Sequence, residues 1–162
     1  MTERTRSEYR LDRSGAMHAA IEHAFVRPSD VGTEALASLL LDAYRGTIDD
    51  EGETIVEARE AIAFMLDRCV PACSWVSVHD DGRPAGLSFV AVVDGIHYID
   101  PVVVHADGKR RGLGRRLVEA SLDALGRDGV EVVGAAITDG NTASEALFAS
   151  LGFRRVGPWP PD

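Results

Sequence analysis

The chain has 162 residues, 45% of them hydrophobic and 27% charged, with a formal net charge of −9. That length fits one domain with its own core, needing neither metal nor disulfide staples. The acidic balance excludes general nucleic-acid binding, which needs a basic surface, and no apolar run approaches the ~20 residues of a membrane span.

Residues 1–22 show weak periodicity and are expected to form an N-terminal extension, loose or helical, ahead of one domain over 23–162. Their polar, charged start does not read as a secretory leader. A first strand is expected over 23–27, ended by Pro28. Ser29 and Asp30 offer N-cap chemistry. Leu36, Leu39, Leu40 and Ala43 then recur at helical spacing and predict a helix over 31–44, closed by Gly46. An acidic loop follows with Asp49, Asp50, Glu51 and Glu53. Thr54, with Glu57 three residues on, is a capping-box start for a second helix that Pro71 stops. Cys69 and Cys73 match neither a zinc pattern nor a C-x-x-C redox motif. They are expected to be buried, reduced thiols of a cytoplasmic protein.

Strands dominate next, over 74–79, 85–93 and 97–104, with turn signals at Asp81-Gly82 and Asp94-Gly95. A basic, glycine-rich stretch, Lys109-Arg110-Arg111-Gly112-Leu113-Gly114-Arg115-Arg116, then opens a helix through Leu117, Leu122 and Leu125. An apolar strand over 130–137 reads as buried on both faces. Asn141 caps a short helix ending at Leu151-Gly152-Phe153, and a last strand is expected over 154–159. The order β-α-α-β-β-β-α-β-α-β predicts an α/β domain, a mixed sheet with helices on both faces.

A basic helix start in an acidic chain suits a polyanion such as a pyrophosphate. Its outward backbone N–H groups and partial positive charge meet phosphate oxygens, and glycines permit close approach. The stretch is not G-x-x-x-x-G-K-[ST], and a dinucleotide fingerprint would need glycine where Leu117 stands. A nucleic-acid patch at Lys109, Arg110 and Arg111 is the remaining alternative.

Two motifs carry a family resemblance. Val102-Val103-Val104 followed by Lys109 to Arg115 is similar to the acyl-CoA-binding turn of the GNAT superfamily of N-acyltransferases. The run from Asn141 to Phe153 resembles that family's second signature. The resemblance implies a GNAT-like fold and acetyl-CoA as co-substrate, without a metal. It implies that the backbone of Val102, Val103 and Val104 pairs with the pantetheine arm. The amides and side chains of Lys109, Arg110, Arg111, Gly112, Leu113, Gly114 and Arg115 would hold the pyrophosphate, with Arg115 as its side-chain partner. Asn141 would touch CoA, and Phe148 would pack against it.

The family's general base lies on the strand before the turn, at sites matching 98 or 100. Asp100 is therefore the expected base, with Tyr98 either orienting the acceptor or packing as an ordinary core residue. Asp100 is otherwise read as a hydrogen-bonding residue that starts a bulge beside Pro101. Strict alternation puts Tyr98, Asp100, Val102 and Val104 on one face. His97 falls on the other, and His105 lies where the loop leaves the strand. Deprotonating a lysine-like amine (pKa about 10.4) at pH 7 costs roughly 4.6 kcal/mol, whereas a thiol of pKa about 8.5 leaves as thiolate for roughly 2. A base therefore matters more than an acid, unless the acceptor is a low-pKa amine.

Three features depart from the family. Phe148 stands where a tyrosine usually protonates the leaving sulfur, so that role passes to Ser144, to water or to none. Lys109 replaces glutamine or arginine. The usual last strand has no counterpart after residue 159, leaving an open sheet edge that a partner subunit of a homodimer is expected to cover. The acidic loop reads either as a solvated segment or as an entrance for a cationic amine. Tyr44, Trp75 and Trp159 are candidates for an acceptor pocket, with ordinary packing as the alternative. The function expected is acetyl transfer from acetyl-CoA to a primary amine in a ternary complex, in a cytoplasmic protein binding neither nucleic acid nor membrane. The alternative is an acyl-CoA-binding sensor with little catalysis.

Overall fold

The computed structural model describes residues 4–13 and 24–160. In chain order the elements are β1 (Arg6–Asp12), α1 (Pro28–Val31), α2 (Thr33–Tyr44), α3 (Ile55–Arg68), β2 (Trp75–Val78), β3 (Pro84–Val93), β4 (Ile96–Val104), α4 (Leu113–Arg127), β5 (Val132–Thr138), α5 (Thr142–Ser150) and β6 (Arg154–Trp159). The six strands form one mixed sheet in the order β2-β3-β4-β5-β1-β6, and β4–β5 is its parallel pair.

Two apolar layers sandwich the sheet. Leu36, Leu40, Ala58 and Ile62 of α2 and α3 pack with Val76, Leu87, Phe89 and Val103 on one face. Val118, Leu122 and Leu125 of α4 and Phe148 of α5 pack with Val90, Ile99, Val133 and Ile137 on the other. Fully buried side chains of this size contribute about 1.5–3 kcal/mol each, so the α4 stripe anchors the helix whose N-terminus forms the basic turn. Gly86 permits that anchoring: a Cβ there would lie 2.9 Å from Leu117 Cδ1. The capping box of Thr54 and Glu57 forms as the sequence predicts. The two-residue turn Asp94-Gly95 has φ of 50° and 79°, the primed geometry that suits a hairpin. Cys69 and Cys73 are free, and burial together with Asp128 pushes the Cys73 thiol up to about 11.

Two expectations fail. The predicted extension is in part an inner strand, because β1 lies between β5 and β6 and pairs antiparallel with both. Residues 1–3 and 14–22 of the expected extension lie outside the described residues. Periodicity concealed β1 because its buried positions include Ser7 and Glu8 beside Tyr9. Glu8 tolerates burial by accepting from Arg10 Nε at 2.7 Å and from the Tyr98 hydroxyl at 2.8 Å. The expected strand over 23–27 is reduced to one bridge between Val26 and Val76. The sheet has edge strands at both ends, β2 and β6, while β1 is the outer neighbour of β5. Of the two edge strands, β6 carries Arg154, Arg155 and Pro158, which discourage further pairing.

Candidate active site

Strict alternation along β4 breaks at Asp100-Pro101. Between the register pairs Val102↔Ser88 and Ile99↔Val90, β4 carries one residue more than β3. Ile99 and Val102, three apart, consequently pack into the same core layer. Asp100 does not share a face with Val102 and Val104, as simple parity would have it. Pro101 lacks the N–H that a ladder would use.

Beyond this irregularity β4 and β5 separate. They pair only at His97↔Val133 and Tyr98↔Gly134. The segments ending in Val104 and Thr138 thus leave a wedge whose strand-edge groups have no neighbour across the sheet. The basic turn closes the wide end. Gly112 caps α4 in the left-handed conformation at φ 75°, which glycine adopts without strain. The first ladder bond of α4 runs from the Arg116 N–H to the Gly112 carbonyl at 3.1 Å, so the preceding amides point out of the helix. A Cβ at Gly114 would lie at an ordinary contact distance of 3.5 Å from Val104 and Leu147. The missing side chain keeps the mouth of the wedge open.

A cleft of about 630 Å³ follows from this geometry. Val102, Val103 and Val104 line one wall, Lys109, Arg110, Gly112, Leu113, Gly114 and Arg115 the turn, and Asn141 and Leu147 the α5 side. Arg111 is exposed and lies outside this lining. Lys109 Nζ donates to the Ala43 carbonyl at 3.2 Å, tying the turn to α2. The Arg115 guanidinium donates to Glu119 at 2.9 Å and to Ser150 Oγ at 2.6 Å. Arg115 thus meets the cleft while already engaged, and the outward amides of the turn remain free to meet an anion.

A smaller pocket of about 60 Å³ opens off the narrow end, lined by Arg6, Tyr44, Asp49, Asp100, Thr138 and Phe148 among others. Asp100 is half-buried there. Arg6 Nη2 donates to its Oδ1 at 2.9 Å and to the Ala136 carbonyl at 2.7 Å. Burial raises the Asp100 pKa above the usual carboxylate value, Arg6 pulls it down, and Asp49 adds a smaller push upward. A carboxylate whose basicity is raised this way can accept a proton from an amine.

The acidic loop is built into this site. Asp49 accepts from Thr138 Oγ1 at 2.7 Å and from Asn141 Nδ2 at 3.1 Å. Asn141 Oδ1 accepts from the Ser144 N–H at 3.2 Å, the predicted cap of α5. Asn141 therefore fixes the cleft wall and lines it.

Tyr98 is not placed to orient an acceptor. It is 3% exposed, its ring lies over Gly134 and edge-on to Trp159, and its hydroxyl is engaged by Glu8. It lines neither cavity. Phe148 lines the small pocket, is 3% exposed, and meets Phe153 edge-on at 5.0 Å. His105 sits 3.8 Å from Asp42 and 3.6 Å from Asp107 and lines neither cavity. Arg6 was missed by sequence reading, because nothing in a polar segment signals an inner strand that brings it to β4.

Comparison with known proteins agrees with this geometry. The model of the Acetyltransferase (GNAT) family matches residues 33–153. A curated relative, [ribosomal protein bS18]-alanine N-acetyltransferase of Salmonella typhimurium, is 37% identical over 76 residues, covering 47% of this chain and 51% of its own. The chain thus spans about half the length of that relative. Among solved structures, a ribosomal-protein-alanine N-acetyltransferase from Brucella melitensis superposes with a TM-score of 0.67 at 23% identity, over 83% of this chain and 86% of that one. A GCN5-related N-acetyltransferase from Sphaerobacter thermophilus gives 0.70 at 17% identity, over 96% of this chain and 49% of the other. At such identities these superpositions establish the fold. With the family match over three-quarters of its length, the chain belongs to the GNAT acetyltransferase family.

Proposed function

We propose that this protein is an N-acetyltransferase that transfers an acetyl group from acetyl-CoA to a primary amine, directly, within a ternary complex. The observation that carries the reading is the wedge between β4 and β5, closed by outward-pointing amides at a left-handed glycine and with a buried carboxylate at its narrow end. The residues present suit an acyl-CoA. The turn offers amides and positive charge to a pyrophosphate, and Gly114 leaves it room. The backbone of Val102 to Val104 offers strand-edge groups to the two amides of pantetheine. An N–H of this segment would polarise the thioester oxygen.

Asp100 takes the proton of the attacking amine. A peptide α-amine, with an ordinary pKa near 7.7–8.0, needs less help than a lysine, and the curated relative is named for an alanine amine. For such an acceptor the departing thiolate, at roughly 2 kcal/mol, is the costlier group to form at pH 7, so a site whose Phe148 carries no hydroxyl needs another donor to the sulfur. We place the reaction in the cytoplasm, where acetyl-CoA and such acceptors meet. The absent hydroxyl also favours a second reading, an acyl-CoA-binding module that turns over little.

Release of free thiol from acetyl-CoA, followed over a panel of peptide α-amines and alkyl amines, tests the proposal. Acetyltransfer gives thiol release that depends on the amine. Acetyl-CoA binding without release for any amine supports the second reading.

A further inference from the structure

We propose that Tyr44, reaching in from the last turn of α2, donates the hydrogen bond that stabilises the sulfur leaving the acyl group; this rests on the acetyltransferase reading above. The two cavities share five lining residues: Tyr44, Asp49, Val102, Asn141 and Ser144. The larger cavity suits the CoA arm and the smaller holds Asp100, so the scissile C–S bond belongs where they meet. Of the five, Val102 offers no polar side chain, and Asp49 and Asn141 are engaged with each other and with Thr138 and Ser144. Two hydroxyls remain, those of Tyr44 and Ser144.

Tyr44 is the better donor. A phenol is far more acidic than an alkyl hydroxyl and forms a stronger hydrogen bond to a thiolate. Among the described residues no hydrogen-bond partner occupies its hydroxyl, so it is available to the sulfur. Burial, with Asp100 and Asp49 nearby, raises the Tyr44 pKa against the opposing influence of Arg6, so the phenol keeps its proton throughout the working pH range. Phe148, which also lines the smaller cavity, has no hydroxyl and is packed against Phe153.

The step balances without another reactant. The amine nitrogen bonds to the acyl carbon and its proton passes to the Asp100 carboxylate. The C–S bond breaks, and its electron pair leaves on sulfur as a thiolate held by the Tyr44 O–H. The phenol proton stays on oxygen, because its pKa lies above the thiol value of about 8.5.

The experiment is a pH titration of the thiolate absorbance of CoA bound to the wild-type protein, Tyr44→Phe and Ser144→Ala, paired with kcat and KM for acetyl transfer. Arg6, Asp49 and Asp100 also face the sulfur and are the same in all three proteins, so differences report the hydroxyls. Tyr44→Phe is expected to raise the bound thiol pKa by about one unit and to lower kcat about 10- to 100-fold, leaving KM for acetyl-CoA nearly unchanged. Ser144→Ala should do neither. Replacing Tyr44 by a more acidic fluorotyrosine should shift the thiol pKa downward, which covers the case of a poorly folded Tyr44→Phe. An unchanged thiol pKa in both Tyr44 variants, or a shift confined to Ser144→Ala, overturns the proposal. Wild-type protein that binds CoA but acetylates no amine refutes the acetyltransferase reading, while the thiol titration still decides the role of Tyr44.

Discussion

Arg6 Nη2 lies 2.9 Å from Asp100 Oδ1, so a strand from the start of the chain holds the carboxylate at the narrow end of the wedge. Burial raises the Asp100 pKa, and Arg6 opposes that rise. The base form is present above the folded pKa and lost as pH falls through it. Removing Arg6 as Arg6→Met lets that pKa climb further. The acid limb of kcat/KM should then move up by about one pH unit or more, with acetyl-CoA affinity little changed. A pH–rate profile checks this, and an unmoved limb would separate Asp100 from proton transfer. Asp100→Asn should lower kcat by about 10²-fold or more across the profile.

Asp49 joins the acidic loop to β5 and to the cap of α5 through Thr138 and Asn141. Asp49→Ala and Asn141→Ala should each destabilise the fold by about 1–3 kcal/mol, by leaving polar partners unpaired. Their effects should be sub-additive, with a coupling of about 0.5 kcal/mol or more. Denaturant unfolding of the two single variants and the double variant measures it. Additive losses would mean that the loop and the α5 cap are independent.

Gly112 and Gly114 answer to different constraints. Gly112 has a φ of 75° and open space around a hypothetical Cβ, while one at Gly114 would lie 3.5 Å from Val104 and Leu147. Gly112→Ala should cost stability, about 1 kcal/mol, through backbone strain. Gly114→Ala should leave stability nearly unchanged and weaken acetyl-CoA binding by filling the mouth of the cleft. Thermal unfolding and calorimetry together separate the two effects.

Tyr98 sits over Gly134 with its hydroxyl on buried Glu8. Tyr98→Phe should lower stability by about 1–3 kcal/mol and leave the kcat of thiol release within about twofold, the pattern of a packing residue. A large kcat loss at unchanged stability would return Tyr98 to the acceptor site.

The sequence disclosed these features unevenly, and the reasons are physical. The helices α2 to α4 and the strands β2 to β5 were legible because their apolar positions repeat at the helical or strand period. The turn at Gly112 was legible because charge and glycine coincide there. β1 was hidden because it buries Ser7 and Glu8, and a buried glutamate looks exposed until Arg10 and Tyr98 are placed beside it. Parity along β4 misled at Asp100 because one extra residue opposite β3 reverses the faces of all that follow. Asp49 looked like one charge among several in an acidic loop. Only the fold brings it to the end of β5.

The claim on which the rest depends is that the wedge between β4 and β5, with its basic turn, is an acyl-CoA site. Calorimetric titration with acetyl-CoA, comparing wild type with Gly114→Val, tests it most directly. Saturable binding of one acetyl-CoA per chain, weakened about tenfold or more by the valine, an amount equal to about 1.4 kcal/mol, is the predicted result. No binding by the folded wild-type protein, or equal binding by the two proteins, would contradict it.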